Sequence, residues 1–408
     1  MTVFIQPQPR NVDRSFLAFI LVTLILCAPF ASGLRVFSGV LGNVALLFMD
    51  ALLILGFVIA VRRSRTPVII FILFLVIYSL TFVATLDTYP SMFVYYLGFR
   101  KTIFFLLAMA IGIQMRAGEA ELILKAVLVS LTMICLYGIK QSFFMSNFDF
   151  ALLSLQSADS YTNMINGKIR AISLLSSGFH LGMAATLLIV IAISRKRLRL
   201  IDFCLIGIGF FAIEASLTRT FLYLSALLIL SRIWLVTYKR AYVAAMILLL
   251  LLLLASLSGH DVLSPVFNIF SEDARFTNRF QSYIDYWEFA TKRPYHGFLG
   301  FGVGAGGSTL GNHFEYGYWI EPHNVFLKYI FEFGPFIASS IFAWIFMIVK
   351  KSMTNMSDAS PYLKQFPLAL ILIIIVSGLT ITSVETWPIS LFIAILIGAS
   401  QNLSRPHT

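Results

Sequence analysis

The run AYVAAMILLLLLLLASLS at residues 241–258 carries no charge, and the chain around it repeats the pattern. A helix needs about 20 apolar residues to cross the hydrocarbon core of a bilayer. Immediately after this run the character reverses. From Gly259 to Asn324 the chain is rich in charge, aromatics and glycine, and it ends in Glu321-Pro322-His323-Asn324 before another apolar stretch opens at Val325. Working outward from this junction, twelve apolar segments stand out, at 15–33, 38–61, 67–86, 92–114, 121–143, 171–193, 200–216, 220–238, 241–258, 325–349, 366–384 and 386–401. None alternates apolar with polar residues. Backbone groups in lipid must satisfy one another, so continuous runs of this length predict helices rather than a barrel.

Composition agrees. The chain has 408 residues, 59% of them hydrophobic and only 12% charged, with a mean hydropathy of +0.88. That is far more apolar surface than a soluble domain can bury, and it predicts an all-α polytopic membrane protein of about 12 transmembrane helices. The net charge of +11 is explained by topology. Basic residues cluster in alternate loops, among them Arg62, Arg63 and Arg65, then Arg195, Lys196, Arg197 and Arg199, then Lys350 and Lys351. The positive-inside rule puts these loops and both termini in the cytoplasm. The loop after residue 258 then faces outward. The expected organisation is spans 1–9 over 1–258, a large periplasmic loop over 259–324, and spans 10–12 over 325–408. No basic patch on a folded domain is visible, so nucleic acid is not an expected partner. Cys27, Cys135 and Cys204 all lie in apolar runs and read as packing residues.

The long loop has internal order. Phe276, Phe280, Tyr283, Ile284, Trp287 and Ala290 recur at helical spacing, which predicts an amphipathic helix over about 273–292 that Pro294 stops. Its aromatic face suits either the membrane or the spans below, with Arg275, Arg279, Ser282 and Tyr286 on the other flank. Gly297, Gly300, Gly302, Gly304, Gly306, Gly307 and Gly311 follow. The formal GxGxxG at 302, 304 and 307 lacks the strand–turn–helix context of a dinucleotide site. It reads either as a mobile loop that lets backbone approach a substrate or as an irregular connection.

His323 is either a lone interfacial histidine or a base. The positive end of a helix disfavours imidazolium, which would keep the ring neutral and able to accept a proton near pH 7. Arg219, in the tight turn Leu217-Thr218-Arg219-Thr220, joins Arg279, Arg100, Lys101 and Arg170 on the outer side. Each alone reads as a snorkelling charge. Together they run against the inside bias and suit an anionic partner such as phosphate. Asp50 and Glu214 are expensive in lipid and should face protein or water, Asp50 as an ion path or as a hydrogen-bonded interior carboxyl. No histidine or carboxylate spacing suggests a metal, and no cofactor is expected.

His323-Asn324, nine residues and then Gly334 resembles the His-Asn-x9-Gly-x-x-Gly motif of the O-antigen ligase and polysaccharide polymerase superfamily. Arg279 followed by Trp287, Pro294 and the glycines is similar to that family's loop, and Arg219 to its arginine at the start of a span. The motif's last glycine is Ile337 here. The resemblance implies a metal-independent bacterial inner-membrane glycosyltransferase with an undecaprenyl-pyrophosphate-linked glycan as donor. It implies His323 as the group engaging the acceptor hydroxyl and Arg219 and Arg279 as pyrophosphate ligands. Arg100, Lys101 and Arg170, by their outer-side charge, and Asn324, beside His323, are further substrate-binding candidates. The expected function is a polymerase of O-antigen or exopolysaccharide repeat units, working with a chain-length regulator. Alternatives are an O-antigen ligase acting on lipid A-core of lipopolysaccharide, or a polysaccharide transporter or flippase.

Overall fold

The computed structural model describes residues 11–63, 72, 74–79, 92–156, 164–165, 168–195, 197–236, 284–306, 324–355, 361–378 and 383–403. Helices dominate. They are α1 (Asn11–Cys27), α2 (Phe30–Phe37), α3 (Gly39–Arg63), α4 (Met92–Ile113), α5 (Ala117–Phe143), α6 (Asn147–Gln156), α7 (Gly178–Ile193), α8 (Leu200–Ser216), α9 (Arg219–Val236), α10 (284–292), α11 (Pro294–Leu299), α12 (Val325–Asn355), α13 (Pro361–Gly378) and α14 (Ile389–Ala399). One two-stranded antiparallel ribbon, Met164–Ile165 with Lys168–Ile169, precedes α7.

Four stretches, Gly39–Arg63, Tyr95–Ile113, Ala117–Phe143 and Val325–Asn355, are long and apolar enough to cross a membrane. Phe16–Cys27, Gly178–Ile193, Leu363–Gly378 and Ile389–Asn402 are shorter and equally apolar. The helices leave large side chains such as Phe19, Val40, Phe211 and Phe346 exposed. An apolar rim on this scale would drive aggregation in water but is ordinary against lipid. The chain is therefore a helical membrane protein.

α3, α4, α8 and α9 match expected spans to within two residues, whereas α7 begins at Gly178 rather than at 171, α12 runs on to Asn355, and α13 covers Pro361–Gly378 rather than 366–384. The first expected span is broken into α1 and α2 at Ala28-Pro29. The segment at 67–86 is helical at 72 and 74–79, and the segment at 241–258 lies outside the described residues.

Two short helices form the core. From Leu181 onward α7 is buried on every side, and α14 is buried throughout. Neither has a polar face, so both must be surrounded by other helices. α7 packs on α8, α5 and α9, while α14 packs on α4. The α4–α14 crossing uses small residues. A Cβ on Gly398 would lie 2.1 Å from Met109 O, and one on Gly112 would lie 2.3 Å from Ile395 O. Such backbone-to-backbone approach replaces the hydrophobic driving force that lipid does not supply.

The bundle has two distinct ends. At one end Arg63 Nη1 is 3.0 and 2.9 Å from the two oxygens of Glu119, and Asn402 Nδ2 donates to Met115 O at 2.7 Å. The start of α7, the end of α8, the start of α9 and the start of α12 lie at the other.

α12 is broken at Gly334 (φ 75°) and Pro335. Proline has no N–H, so Phe331 O loses its helical partner, and the positive φ at Gly334 diverts the next turn. The freed carbonyls are taken by the glycine stretch: Phe301 N donates to Phe331 O at 2.8 Å and Gly302 N to Glu332 O at 3.1 Å. Gly334 cannot carry a side chain, since a Cβ there would meet Phe298 O at 2.0 Å.

Gly398→Val should drive α14 off α4. Overpacking of this kind costs about 1–3 kcal/mol. The expected result is a lower melting midpoint of the detergent-purified protein; an unchanged midpoint would refute the tight crossing.

Candidate functional site

Of the long loop, the described residues are 284–306, with α10, α11 and the glycine stretch after them, and Asn324. Pro294 does not simply stop the amphipathic helix; it also starts α11 at N1. Tyr286 and Phe289 pack on Phe301 and Phe331, whose rings stack at 4.4 Å, while Ile284 and Trp287 are exposed. The face expected to be apolar thus points outward, and the opposite flank docks on the protein.

The stretch Gly300–Gly306 that follows is an irregular connection packed against the protein. Phe301, Val303 and Ala305 are buried. A Cβ on Gly98 of α4 would lie 2.6 Å from Val303 O, so the loop rests directly on that helix. Its backbone also meets α12 through two charged side chains. Gly304 N donates to Glu332 Oε1 at 2.8 Å, and Lys328 Nζ donates to Gly306 O at 2.7 Å.

Lys328 and Glu332, four residues apart, share one face of α12 and are both fully buried. Lys328 Nζ lies 2.5 Å from Glu332 Oε1 and 2.9 Å from Glu385 Oε1. Thr102 Oγ1 donates to Glu332 Oε2 at 2.7 Å. Glu385 Oε2 faces Lys101 Nζ at 3.6 Å. Two ammonium groups and two carboxylates therefore neutralise each other among α4, α12 and the turn Ser383–Glu385. Buried charges are tolerable only when paired and hydrogen-bonded in this way.

Asn324 begins α12. Its Oδ1 accepts from Phe326 N at 2.7 Å and Leu327 N at 3.2 Å, the N-cap arrangement. The substrate-binding candidate is thus first a structural cap, one turn from Lys328. His323 and Arg279, the expected base and one expected phosphate ligand, lie outside the described residues.

Arg100 and Lys101 are adjacent on α4 but differently engaged. Arg100 Nε lies 2.9 and 2.8 Å from the two oxygens of Asp50, and Tyr96 also donates to that carboxylate. Asp50 is therefore a hydrogen-bonded interior carboxyl. The Arg100 guanidinium sits 4.7 Å over the Trp387 ring.

Arg170 and Arg219 form a second group. Arg170 Nε donates to Ser216 O at 3.0 Å and Ala171 N to Ala215 O at 3.0 Å, so the approach to α7 is stitched to the end of α8. Leu217 in the left-handed region (φ 52°) reverses the chain, and Arg219 opens α9 with its side chain exposed. A cation at a helix N-terminus opposes the helix dipole, so Arg219 gains nothing from its position at the start of α9. The Arg170 segment is held from below. Gln141 Oε1 accepts from Ile172 N at 3.1 Å and Ser173 N at 2.6 Å, and Gln141 Nε2 donates to Asp149 at 2.9 Å. Burial alone would raise the Asp149 pKa. Hydrogen bonds from Lys140, Ser146 and Gln141 outweigh it and hold the carboxyl well below its usual range.

α7 bridges the two groups. Gly178, its first residue, lies against Arg170 and Ser216. Met183, further along, accepts from Thr386 Oγ1 at 3.3 Å, next to Glu385. Arg100, Lys101, Arg170, Arg219 and Asn324 thus occur at one end of the bundle.

Sequence reasoning missed Lys328, Glu332, Glu385 and Trp387. The first two carried a signal, opposite charges at i and i+4 inside an apolar run. Glu385 fell between two expected spans, and nothing local marks Trp387 as the partner of Arg100. No protein-family model and no curated protein matches the chain.

Lys328→Met leaves two buried carboxylates against one ammonium and should cost about 3–5 kcal/mol. Adding Glu332→Gln restores the balance with Lys101 and Glu385. Melting midpoints are expected to fall steeply in the single variant and recover in the double; additive losses would show that the pair is not coupled.

Proposed function

We propose that the protein is a membrane glycosyltransferase that moves glycan from an undecaprenyl-pyrophosphate donor to an acceptor sugar hydroxyl, most simply as a polymerase of O-antigen or exopolysaccharide repeat units. The observation that carries this reading is the gathering of Arg100, Lys101, Arg170 and Arg219 at the end of the bundle where Asn324 caps α12. His323 immediately precedes that cap in the sequence. A helix start that disfavours imidazolium beside a set of cations supplies the two things the reaction needs.

The transfer is a displacement at the anomeric carbon. The acceptor oxygen forms the new bond, the bond to the pyrophosphate oxygen breaks, and the acceptor proton goes to His323. Arg219 and Arg279 stabilise the charge on the departing pyrophosphate through paired N–H donors. No metal is required by this scheme. It belongs at the periplasmic face of a bacterial inner membrane, with both termini cytoplasmic. The His-Asn-x9-Gly spacing and the exposed, dipole-opposed Arg219 support it. An O-antigen ligase acting on lipid A-core would use the same donor site.

One observation favours a different class. Asp50–Arg100 and Lys328–Glu332–Glu385–Lys101 are ion pairs buried among apolar helices. Intramembrane charges often mark transport pathways, so a polysaccharide transporter or flippase is the second reading. Neutral pairing with backbone contacts on the glycine stretch gives them a structural role as well.

His323→Ala should abolish glycan transfer while the protein remains in the membrane, and Arg219→Lys should reduce turnover at least about tenfold, because an ammonium lacks the guanidinium fork. Chelator should leave transfer unchanged. Gel analysis of surface glycan reads the outcome. Single repeat units after deletion of the protein indicate a polymerase, a bare acceptor indicates a ligase, and normal polymer in the His323→Ala variant sinks the enzyme assignment.

A further inference from the structure

Arg100 and Trp387 meet at a small cavity of about 40 Å³, lined also by Lys101, Phe104, Glu385 and Ser390. Both carry a buried N–H group without an acceptor among the described residues, Arg100 Nη2 and Trp387 Nε1. Buried polar atoms are nearly always paired, so two such orphans on residues that line one cavity point to a missing partner. Its chemistry follows from what is already taken. Asp50 occupies Arg100 Nε. Glu385 lines the cavity too, but its oxygens face Lys328 and Lys101. The unspent groups are donors, so the partner is an acceptor, and beside a guanidinium an oxyanion is favoured.

The cavity is not isolated. Phe105 and Val384 line both it and a groove of about 730 Å³ between α12 and α13, whose other walls include Val325, Tyr329, Phe342 and Leu368. A donor-bearing cavity that shares these two walls with an apolar groove fits a molecule with an oxyanion head and an apolar chain.

We infer that Arg100 Nη2 and Trp387 Nε1 bind a phosphate oxygen of the polyprenyl-linked donor, with its isoprenoid chain in the α12–α13 groove. The inference rests on the donor class proposed above. It makes Trp387 a substrate-binding residue and assigns Arg100 a bond distinct from its pairing with Asp50.

Trp387→Phe is the decisive variant, because it keeps a ring under the guanidinium and removes only the N–H. The purified full chain in detergent is titrated with undecaprenyl pyrophosphate and, separately, with undecaprenol, which has the same chain and no phosphate. Trp387→Phe is expected to weaken the pyrophosphate lipid about tenfold, the size of one hydrogen bond to a charged group, and to leave undecaprenol unchanged. Arg100→Lys should behave alike and serves as the second variant if Trp387→Phe melts early. Equal binding by wild type and variants, or equal weakening of both lipids, overturns the site whatever the transfer activity. Phosphatidylglycerol that displaces the pyrophosphate lipid mole for mole overturns the choice of occupant. A protein that binds the pyrophosphate lipid through Trp387 yet makes no glycan supports the site and refutes the transferase reading.

Discussion

The buried pair Lys328–Glu332 is the constraint around which this end of the molecule is built. Neither group can reach water, and neither can be solvated by the apolar helices around it. Each must therefore recruit polar partners from elsewhere in the chain. Glu332 takes Gly304 N from the long loop and Thr102 from α4; Lys328 takes Gly306 O from the loop and Glu385 from the turn before α14. Elements separated by hundreds of residues are thereby fixed to one helix face. The Pro335 break contributes by the same logic, since two carbonyls it releases from α12 are the ones that dock Phe301 and Gly302. An irregular backbone segment is tolerable among membrane helices only where its N–H and C=O groups are satisfied by protein. Here a proline and a charge pair supply that satisfaction.

Much of this was legible one residue at a time. Uninterrupted apolarity gave the boundaries of α3, α4, α8 and α9 to within a residue or two, because helix length in lipid is set by bilayer thickness. The tight turn at Leu217–Thr218 was legible because nothing longer separates two apolar runs. What could not be read was pairing. The glycines of 300–306 left open a mobile loop or an irregular connection; in the fold they let backbone approach backbone, as Gly300 against Glu332 shows. Glycine marks both freedom and close contact, and the sequence does not say which. The facing of α10 was open between membrane and protein for a related reason. Ile284 and Trp287 are the apolar face by spacing, but in a membrane protein the apolar face may be the lipid-facing one.

The candidate residues divide along the same line. Arg219 and Asn324 were identifiable from position, one at a tight turn and the other before an apolar run. Arg100 and Lys101 were identifiable only as cations; that Arg100 is spoken for on one side by Asp50 and stacked on Trp387 on the other depends on contacts about 50 and about 290 residues away in sequence.

Buried ion pairs are a poor way to gain stability, since well-packed apolar side chains of the same volume do as well or better. Their retention at one end of this bundle therefore asks for another reason. Arg100, Lys101 and Lys328 are matched by Asp50, Glu332 and Glu385, so this buried cluster as a whole is neutral. What neutrality leaves over is direction. Each carboxylate holds a cation in one orientation, and at Arg100 the pairing with Asp50 leaves Nη2 without a hydrogen-bond partner among the described residues. In the binding proposed above, a neutral but donor-rich cavity receives a phosphate oxygen without the standing repulsion that three unpaired cations would create in its absence. The exposed Arg219 at the start of α9 and the half-buried Arg170 beside it then provide the net positive charge. Separating the two jobs, orientation in the buried pairs and net charge at the rim, lets one end of an apolar bundle be both stable when empty and attractive to an anionic headgroup.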